Sequence, residues 1–311
     1  MKQLFNDKKK ENVKKKTAKK QLLKKRIPKS YKMPSPNAKI ERDYRLTITE
    51  QTNKMNNSFK WWLIASLKKD NPLPKIKGEF RELAKYWEAK FSDISKNEAT
   101  KFIYKIKKHS DSVLHSKSAE VFSIKRNSKL INEIVKARIN ENIALIKSIP
   151  REQILRYKNA IYSSVANIDR ANLSNELEKI TKKLKISDDI ARRRIKTIAR
   201  DQTKKATEAI SQARAQANGF EFYIWLTAND ERVSKGKGGH EALNNRIYKY
   251  GEDTAIIDSY GNIGTCGERV NCRCTSGAVY LMPNETLELR HDAEHGDYYV
   301  IVEKDTENKG G

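Results

Sequence analysis

The residues that could do chemistry are concentrated in the last third of the chain, which holds all three cysteines and three of the five histidines. Cys266, Cys272, Cys274 and His240 supply thiol and imidazole groups, the two kinds of ligand that zinc favours. No Cys-x-x-Cys pair is present, and Cys272 and Cys274 can share one metal only if Arg273 between them turns outward. Three interpretations therefore stay open for the cysteines: a zinc site, reduced thiols, or a disulfide between Cys266 and one of the other two.

Asp230, Arg232 and His240 form a second candidate group. An aspartate can orient a histidine, which then acts as a base near neutral pH. However, no serine or cysteine lies in a recognisable nucleophile setting. The sequence favours a structural network, in which the aspartate caps a turn, the arginine pairs with an acid and the histidine binds a loop. We therefore assign no catalytic residue and do not expect an enzyme.

Residues 291–295, His-Asp-Ala-Glu-His, match the His-x-x-Glu-His pattern of inverted zinc metalloproteases. Gly296 follows at once, and residues 298–302 predict a strand directly after it. These neighbours favour a polar loop or a short surface helix over a helix that binds metal.

Two elements are expected to position the candidate residues. A long helix is predicted over residues 187–218, because Ser187 suits an N-cap, acids follow it, and Gly219 suits a C-terminal stop. Its apolar face carries small alanines, so we expect it to lie against a sheet. Residues 220–226 alternate in polarity and predict a strand with one apolar face. The predicted C-terminal domain covers residues 187–311, with strands and loops over residues 220–311.

Residues 39–186 predict a series of helices, because apolar residues recur at helical spacing. Breaks are predicted at residues 71–74, Asn-Pro-Leu-Pro, and at Pro150, since proline interrupts helices. Whether these helices form a bundle or a rod stays open. The expected fold class is α+β, an extended, mostly helical, basic N-terminal region followed by a small helix-plus-sheet domain.

The charge of the chain is strongly uneven. The net charge is +25, and residues 1–219 carry 54 basic against 23 acidic residues, whereas residues 220–311 carry 10 against 16. A basic region joined to a mildly acidic one indicates that one end faces a polyanion, and nucleic acid bound through its phosphates is the obvious one. A solvated lysine-rich surface is the alternative.

Two basic segments are the predicted contacts to nucleic acid. Residues 1–38 have too little apolar content to fold alone and are predicted to be a disordered arm. The second segment is an arginine triplet on the long predicted helix, where arginine can bind phosphates bidentately. The predicted contact residues are Lys8, Lys9, Lys10, Lys14, Lys15, Lys16, Lys24, Lys25, Arg26, Arg192, Arg193 and Arg194.

Composition excludes several classes of protein. No run of about 18 apolar residues is present, so no membrane-spanning segment is expected. The first residues lack the apolar stretch of a signal peptide. An odd number of cysteines does not suggest a secreted disulfide framework. We expect a protein made in the cytoplasm and used there or inside a particle assembled there.

The order of several residues resembles that of a known family. Arg200 on the predicted helix is followed by a set of residues in a characteristic order. They are Trp225, Thr227, Asp230, Arg232, His240, Leu243, Cys272, Arg273 and Cys274. This order resembles the phage Mu F-like head morphogenesis domain, found in minor capsid proteins of tailed phages. The resemblance covers roughly residues 187–280. The insert at residues 235–239, Lys-Gly-Lys-Gly-Gly, departs from it and lengthens the loop before His240.

The resemblance implies a minor head protein that associates with the portal and the procapsid and contacts packaged DNA during head assembly or DNA delivery. The implied partners are the portal protein, the major capsid or scaffold protein, and DNA without sequence preference. Several copies per head are expected, within a virion assembled in the host cytoplasm. Of the four candidate zinc ligands, Cys266 is not part of the family pattern.

Two other functions stay open. One is a metal-dependent hydrolase, or a nuclease or toxin-like effector, that uses His240, Cys272 and Cys274. Bound metal with activity lost in His240→Ala would favour it, whereas intact head assembly in that variant would favour the structural role. The other is a plain nucleic-acid-binding protein, whose salt-dependent DNA binding would disappear when residues 1–38 are removed.

Overall fold

A computed structural model describes residues 30–118, 128–166 and 168–304. Its helices are α1 (Ala38–Lys68), α2 (Leu73–Ser118), α3 (Lys129–Val165), α4 (Leu173–Ala217) and the short α5 (His240–Leu243), with a 3-10 turn at Arg170–Asn172. Its strands are β1 (Ser30–Lys32), β2 (Phe222–Leu226), β3 (Ile247–Lys249), β4 (Ala255–Ile256), β5 (Ile263–Gly264), β6 (Thr275–Val279), β7 (Glu285–Arg290) and β8 (Tyr298–Glu303). The α+β prediction is confirmed. Within the described ranges, no helix is long and apolar enough to cross a membrane.

The four long helices pack into a bundle around one apolar core. Helix α1 begins at Asn37, whose side chain accepts hydrogen bonds from the first free backbone N–H groups of the helix. Phe59 of α1 lies at the centre of the core, with its ring 5.0 Å from Phe80 of α2 and 5.7 Å from Tyr157 of α3. The choice between bundle and rod is therefore settled in favour of a bundle.

Two predicted helix boundaries are wrong, and the break predicted at residues 71–74 lies at residues 69–72, between α1 and α2. Helix α3 continues through Pro150, which is buried between Ile149 and the following core residues. Packing of the long helix outweighs the cost of roughly 3 kcal/mol for an internal proline. Helix α4 begins at Leu173 instead of Ser187, and both Ser187 and Asp188 are buried inside it. The Ser187 hydroxyl instead donates to the Lys183 carbonyl of the same helix, and Asp188 contacts the neighbouring helices.

A six-stranded antiparallel sheet follows the bundle, with the strand order β1-β6-β2-β3-β8-β7, and β4 pairs separately with β5. Strand β1 pairs with β6 in the register Ser30 opposite Val279. Residues 30–38 were predicted to be disordered, but they form this strand and the start of α1. The predicted contacts Lys8, Lys9, Lys10, Lys14, Lys15, Lys16, Lys24, Lys25 and Arg26 lie outside the described residues.

Helix α4 connects the bundle to the sheet. It ends as predicted at Gly219, whose φ of +86° lets the following N–H of Phe220 reach the carbonyl of Ala215. Strand β2 then has both faces buried, which corrects the prediction of one apolar face. Tyr223 and Trp225 belong to the core that includes Ala215 of α4, and Ile224 belongs to a separate core on the opposite face.

Candidate metal-binding site

His240 is the first residue of α5, and contacts of both its backbone and its ring hold it in place. Its backbone N–H donates to the Ser234 hydroxyl over 3.0 Å, and its side chain lies 5.3 Å from Trp225 in an edge-to-face contact. The ring Nε2 lies 3.2 Å from the carbonyl oxygen of Ile257. The residue is only 5% exposed. These contacts fix the direction in which the other ring nitrogen points.

The second ring nitrogen of His240 faces two cysteines. A carbonyl only accepts hydrogen bonds, so Nε2 carries a proton and Nδ1 is the ring nitrogen left to contact the two sulfur atoms. Nδ1 lies 3.5 Å from Sγ of Cys272 and 3.4 Å from Sγ of Cys274. The three potential ligand atoms all lie within 4.8 Å of one another. Three of the four predicted zinc ligands are therefore adjacent.

The two cysteines differ in their protonation. A hydrogen bond from Cys274, together with His240, lowers the pKa of Cys272 to about 4 in spite of burial. The same contact with Cys272, together with burial, raises the pKa of Cys274. The two thiols are therefore coupled, and Cys272 is the more acidic of the two.

Cys266 lies outside this group. It is fully buried in the same core, and its carbonyl oxygen accepts a hydrogen bond from Gln212 of α4 over 3.2 Å. Burial raises the pKa of its thiol. All three cysteines are free, so the disulfide interpretation is not realised.

Arg273 does turn outward between the two cysteines, as the Cys-x-Cys spacing requires for a shared metal. Its guanidinium pairs with both carboxylate oxygens of Asp230. This pairing holds the pKa of Asp230 well below its usual range. Asp230 also accepts the backbone N–H of Arg232 over 3.1 Å, so it caps a turn.

The proposed catalytic group is not assembled. Asp230 binds Arg273, His240 binds Ile257, and the side chain of Arg232 is 77% exposed. Asp230 therefore does not orient His240. The geometry matches the structural network that the sequence favoured.

Helix α4 positions the loop that carries the cysteines. Asp201 accepts the backbone N–H of Asn271 over 3.2 Å, and the Asn271 side chain accepts a hydrogen bond from Arg200. Asn271 has a φ of +62°, a left-handed conformation that asparagine tolerates better than most residues. The turn directs the next residue, Cys272, towards His240. Asp201 was missed by the sequence reasoning, because a carboxylate beside Arg200 reads as an ordinary surface pair.

Asn244 is a second positioning residue, to which the sequence alone assigned no role. Its side-chain oxygen accepts a hydrogen bond from the backbone N–H of Thr227 over 3.0 Å. The side-chain oxygen of Asn229 accepts hydrogen bonds from the Thr227 hydroxyl and the Asn244 amide. These bonds tie the end of β2 to the end of α5, where Leu243 is fully buried. Its place directly after the His240-x-x-Leu243 motif was the available signal.

The histidines of residues 291–295 do not converge on a metal site. This segment is a turn, not a helix. His291 pairs with Asp297, whereas His295 contacts Asp292 and places Nε2 3.2 Å from the carbonyl oxygen of Gly236. His295 therefore supports the glycine-rich loop that precedes His240. The preference for a polar loop was correct.

A cleft of about 280 Å³ opens beside the His240, Cys272 and Cys274 group. All three side chains line it, together with Arg232, Val233, Ser234, Arg269 and Asn271. Arg269 donates to the carbonyl oxygen of Ile257, the same oxygen that His240 contacts. The cleft therefore gives the three potential ligands access to solvent, with arginine side chains on its lining.

The basic residues of α4 divide into buried and exposed sets. Lys204 and Arg214 are buried, since Lys204 pairs with Glu208 and Arg214 pairs with Asp111. Of the predicted contacts, Arg192 and Arg193 are exposed, whereas Arg194 is partly buried and pairs with Glu152. Several exposed basic residues of α4 lie within one sector of roughly 100° around the helix axis. We call this set the α4 basic stripe. It consists of Lys182, Lys185, Arg192, Arg193, Lys196 and Arg200.

The glycine-rich loop offers a direct test of how His240 is positioned. A Cβ atom at Gly238, whose φ is +64°, would lie 2.0 Å from the Asp258 carbonyl oxygen, whereas a Cβ at Gly236 would meet nothing within 4 Å. We expect Gly238→Ala to lower the free energy of unfolding by about 2–3 kcal/mol, because steric overlap adds to the left-handed backbone cost. Gly236→Ala, the control, has only the backbone cost of about 1–2 kcal/mol. Denaturant titration measures both, and equal losses would contradict the packing argument.

Comparison with known proteins identifies the segment that carries the site. Residues 173–276 match the family described as Phage Mu protein F like protein. The resemblance seen in the sequence is therefore confirmed over this segment. The match begins at Leu173, where α4 begins, 14 residues before the predicted helix start at Ser187. It includes His240, Cys272 and Cys274 and ends inside β6.

A relative in Haemophilus influenzae, described as an uncharacterized protein, is 33% identical over 166 residues. The aligned region is 52% of this chain but 33% of that protein, so the chain spans about a third of the relative's length. No solved structure matches the chain significantly.

Proposed function

We propose that this chain is a minor head protein of a tailed phage, which associates with the portal or procapsid and contacts packaged DNA without sequence preference. The match of residues 173–276 to the Phage Mu protein F like family is the observation that carries the proposal. At the coarser level, that family indicates a phage head morphogenesis protein that works with other head proteins in the virion. The role is one of binding and assembly.

The division of charge supports two separate binding surfaces. The α4 basic stripe spans about 27 Å along the helix and faces solvent. The C-terminal region, which is mildly acidic in total and is described as far as residue 304, contributes most of the sheet beside the other part of α4. A polyanion such as DNA would be attracted to the stripe and not to the sheet. The sheet and its loops would then be free to bind the portal, the major capsid protein or the scaffold.

We expect the triple variant Lys185→Glu, Arg193→Glu and Lys196→Glu to weaken DNA binding and to reduce its salt dependence. Three lost phosphate contacts reduce the slope of log K against log salt by roughly 2.7. The control is Lys85→Glu, Lys96→Glu and Lys105→Glu on α2, which changes the net charge equally at exposed lysines. Fluorescence anisotropy with duplex DNA at several salt concentrations gives both slopes. Equal losses in the two variants would show that net charge, not the stripe, drives binding.

Association with head proteins is tested by co-purification of the full chain with the portal, major capsid and scaffold proteins of the same phage. Retention of one of them in moderate salt, in both the wild type and the α4 triple variant, is the expected result. Failure to retain any of the three would overturn the assembly role, even if DNA binding persisted.

One observation favours a second candidate, a metal-dependent hydrolase. Catalytic zinc sites keep three protein ligands and an open position, and the three adjacent ligands line a cleft. Asp230 is an unsuitable base, because Arg273 binds both of its carboxylate oxygens. Hydrolysis of a nucleic acid or peptide that requires metal and disappears in His240→Ala would establish this candidate.

A further inference from the structure

The separations of the three potential ligands agree with those of a zinc site. Zinc–sulfur bonds of about 2.3 Å and a zinc–nitrogen bond of about 2.0 Å at tetrahedral angles place sulfur and nitrogen about 3.5 Å apart. In the structure, Nδ1 of His240 lies 3.5 Å and 3.4 Å from the two sulfur atoms. A metal ion could therefore enter between them with little movement of the side chains.

His240 is oriented as a zinc ligand usually is. Histidine ligands commonly donate the proton of their second nitrogen to a carbonyl or carboxylate, which fixes the ring. Here Nε2 has the Ile257 carbonyl oxygen at 3.2 Å, and Trp225 packs against the ring. Nδ1 is thereby aimed at the two sulfur atoms before any metal binds.

The two cysteines are also held in place from outside the group. Asp230 binds Arg273 and so keeps the residue between them away from the sulfur atoms. Asp201 holds the backbone of Asn271, which directly precedes Cys272. Each of the three ligands is therefore supported by a neighbouring polar contact, as a preorganised metal site requires.

The chemistry of the ligands selects the metal. One imidazole and two thiolates are soft and borderline ligands, which suit zinc and do not suit magnesium or calcium. Two thiolates also balance the charge of a divalent ion. Cys266 is not within reach as a fourth ligand, because it is absent from the group whose ligand atoms lie within 4.8 Å.

We propose that His240, Cys272 and Cys274 bind one zinc ion whose fourth position opens into the adjacent cleft and is taken by a ligand from solvent. Arg232 and Arg269 line that cleft, so an anionic ligand is favoured over a neutral one. The zinc would tie α5 to the turn before β6. This inference does not depend on the proposed head function, since zinc binding is measured on the isolated chain.

The test uses the full chain, its metal content and cobalt substitution. We expect about one zinc per chain by elemental analysis, and a thiolate-to-cobalt charge-transfer band when cobalt(II) replaces zinc. His240→Ala, Cys272→Ser and Cys274→Ser should each weaken binding by about a hundredfold or more. Cys266→Ser, the matched control, should bind as the wild type does. Circular dichroism checks that each variant is folded.

Two results would overturn the inference. One is a wild-type chain that carries no zinc and gives no charge-transfer band with cobalt. The other is a Cys266→Ser variant that loses metal as completely as Cys272→Ser, because Cys266 would then close the site. Azide added to the wild-type cobalt form provides a measurement that needs no variant. It should change the cobalt spectrum if the fourth position is open, and an unchanged spectrum would count against an open position.

Discussion

Asp188→Ala should lower the free energy of unfolding by about 3–5 kcal/mol, the cost of removing one partner from a buried ion pair. Asp188 lies in the middle of α4 and its carboxylate joins three helices. It accepts hydrogen bonds from Lys60 of α1 and from Gln153 and Tyr157 of α3. Without it, the ammonium group of Lys60 and the buried hydroxyl of Tyr157 lose their partners. Equilibrium denaturation monitored by helical circular dichroism measures the change.

The neighbouring Asp189 provides the control for Asp188. Its carboxylate pairs only with Arg192 at the surface and is 48% exposed. Asp189→Ala should therefore change stability by less than about 0.5 kcal/mol. Asp188→Asn keeps the acceptor oxygen and should fall between the two alanine variants. Similar stabilities for all three variants would mean that the buried contacts of Asp188 contribute little.

Glu208→Ala should have a comparable effect, about 3–5 kcal/mol, at the contact between α4 and the sheet. Glu208 is 2% exposed and accepts the backbone N–H of Ser276 over 2.8 Å, as well as the Ser276 hydroxyl. Its second oxygen lies 3.4 Å from the ammonium group of Lys204, whose side chain is 10% exposed. Removing the carboxylate leaves a buried cation and a buried amide without partners.

The loss of stability in Glu208→Ala should affect β6 locally, in addition to lowering the free energy of unfolding of the whole chain. Amide hydrogen exchange should increase most in β6, because Ser276 lies in that strand. Glu208→Gln, which keeps an acceptor for Ser276, should preserve the protection of β6 better than the alanine variant. An exchange pattern in which the helices of the bundle open before β6 would contradict the proposed connection.

Residue type and order were sufficient to find the centre of the candidate site. His240, Cys272 and Cys274 were identified because imidazole and thiol groups are rare in this chain and their order matches a known family. Cys266 could not be separated from them, because the sequence does not say which thiols face one another across a core. The partner of His240 is the backbone carbonyl of Ile257, and side-chain types carry no information about such a contact.

The errors in the fold arise where long-range contacts outweigh local signals. Ser187 and Asp188 have the residue types of a helix start, but the Ser187 hydroxyl donates to the Lys183 carbonyl of the same helix and the Asp188 carboxylate is bound by neighbouring helices, so α4 begins at Leu173. Pro150 is a strong local signal, and packing on both sides of it keeps α3 continuous. The apolar spacing within each helix was a better guide, because it reflects the face that the bundle buries.

Strand β1 has a consequence for how this protein can be divided. It is supplied by residues 30–32, whereas every other strand of the same sheet follows residue 221. A fragment that starts at α4 would therefore lack β1, the strand that pairs with one edge of β6. The peptide groups exposed at that edge could pair with a strand from another molecule. An excised domain would regain this edge only if residues 30–33 were joined after Lys304 through a linker that crosses the four strand spacings from β8 to β1, about 19 Å.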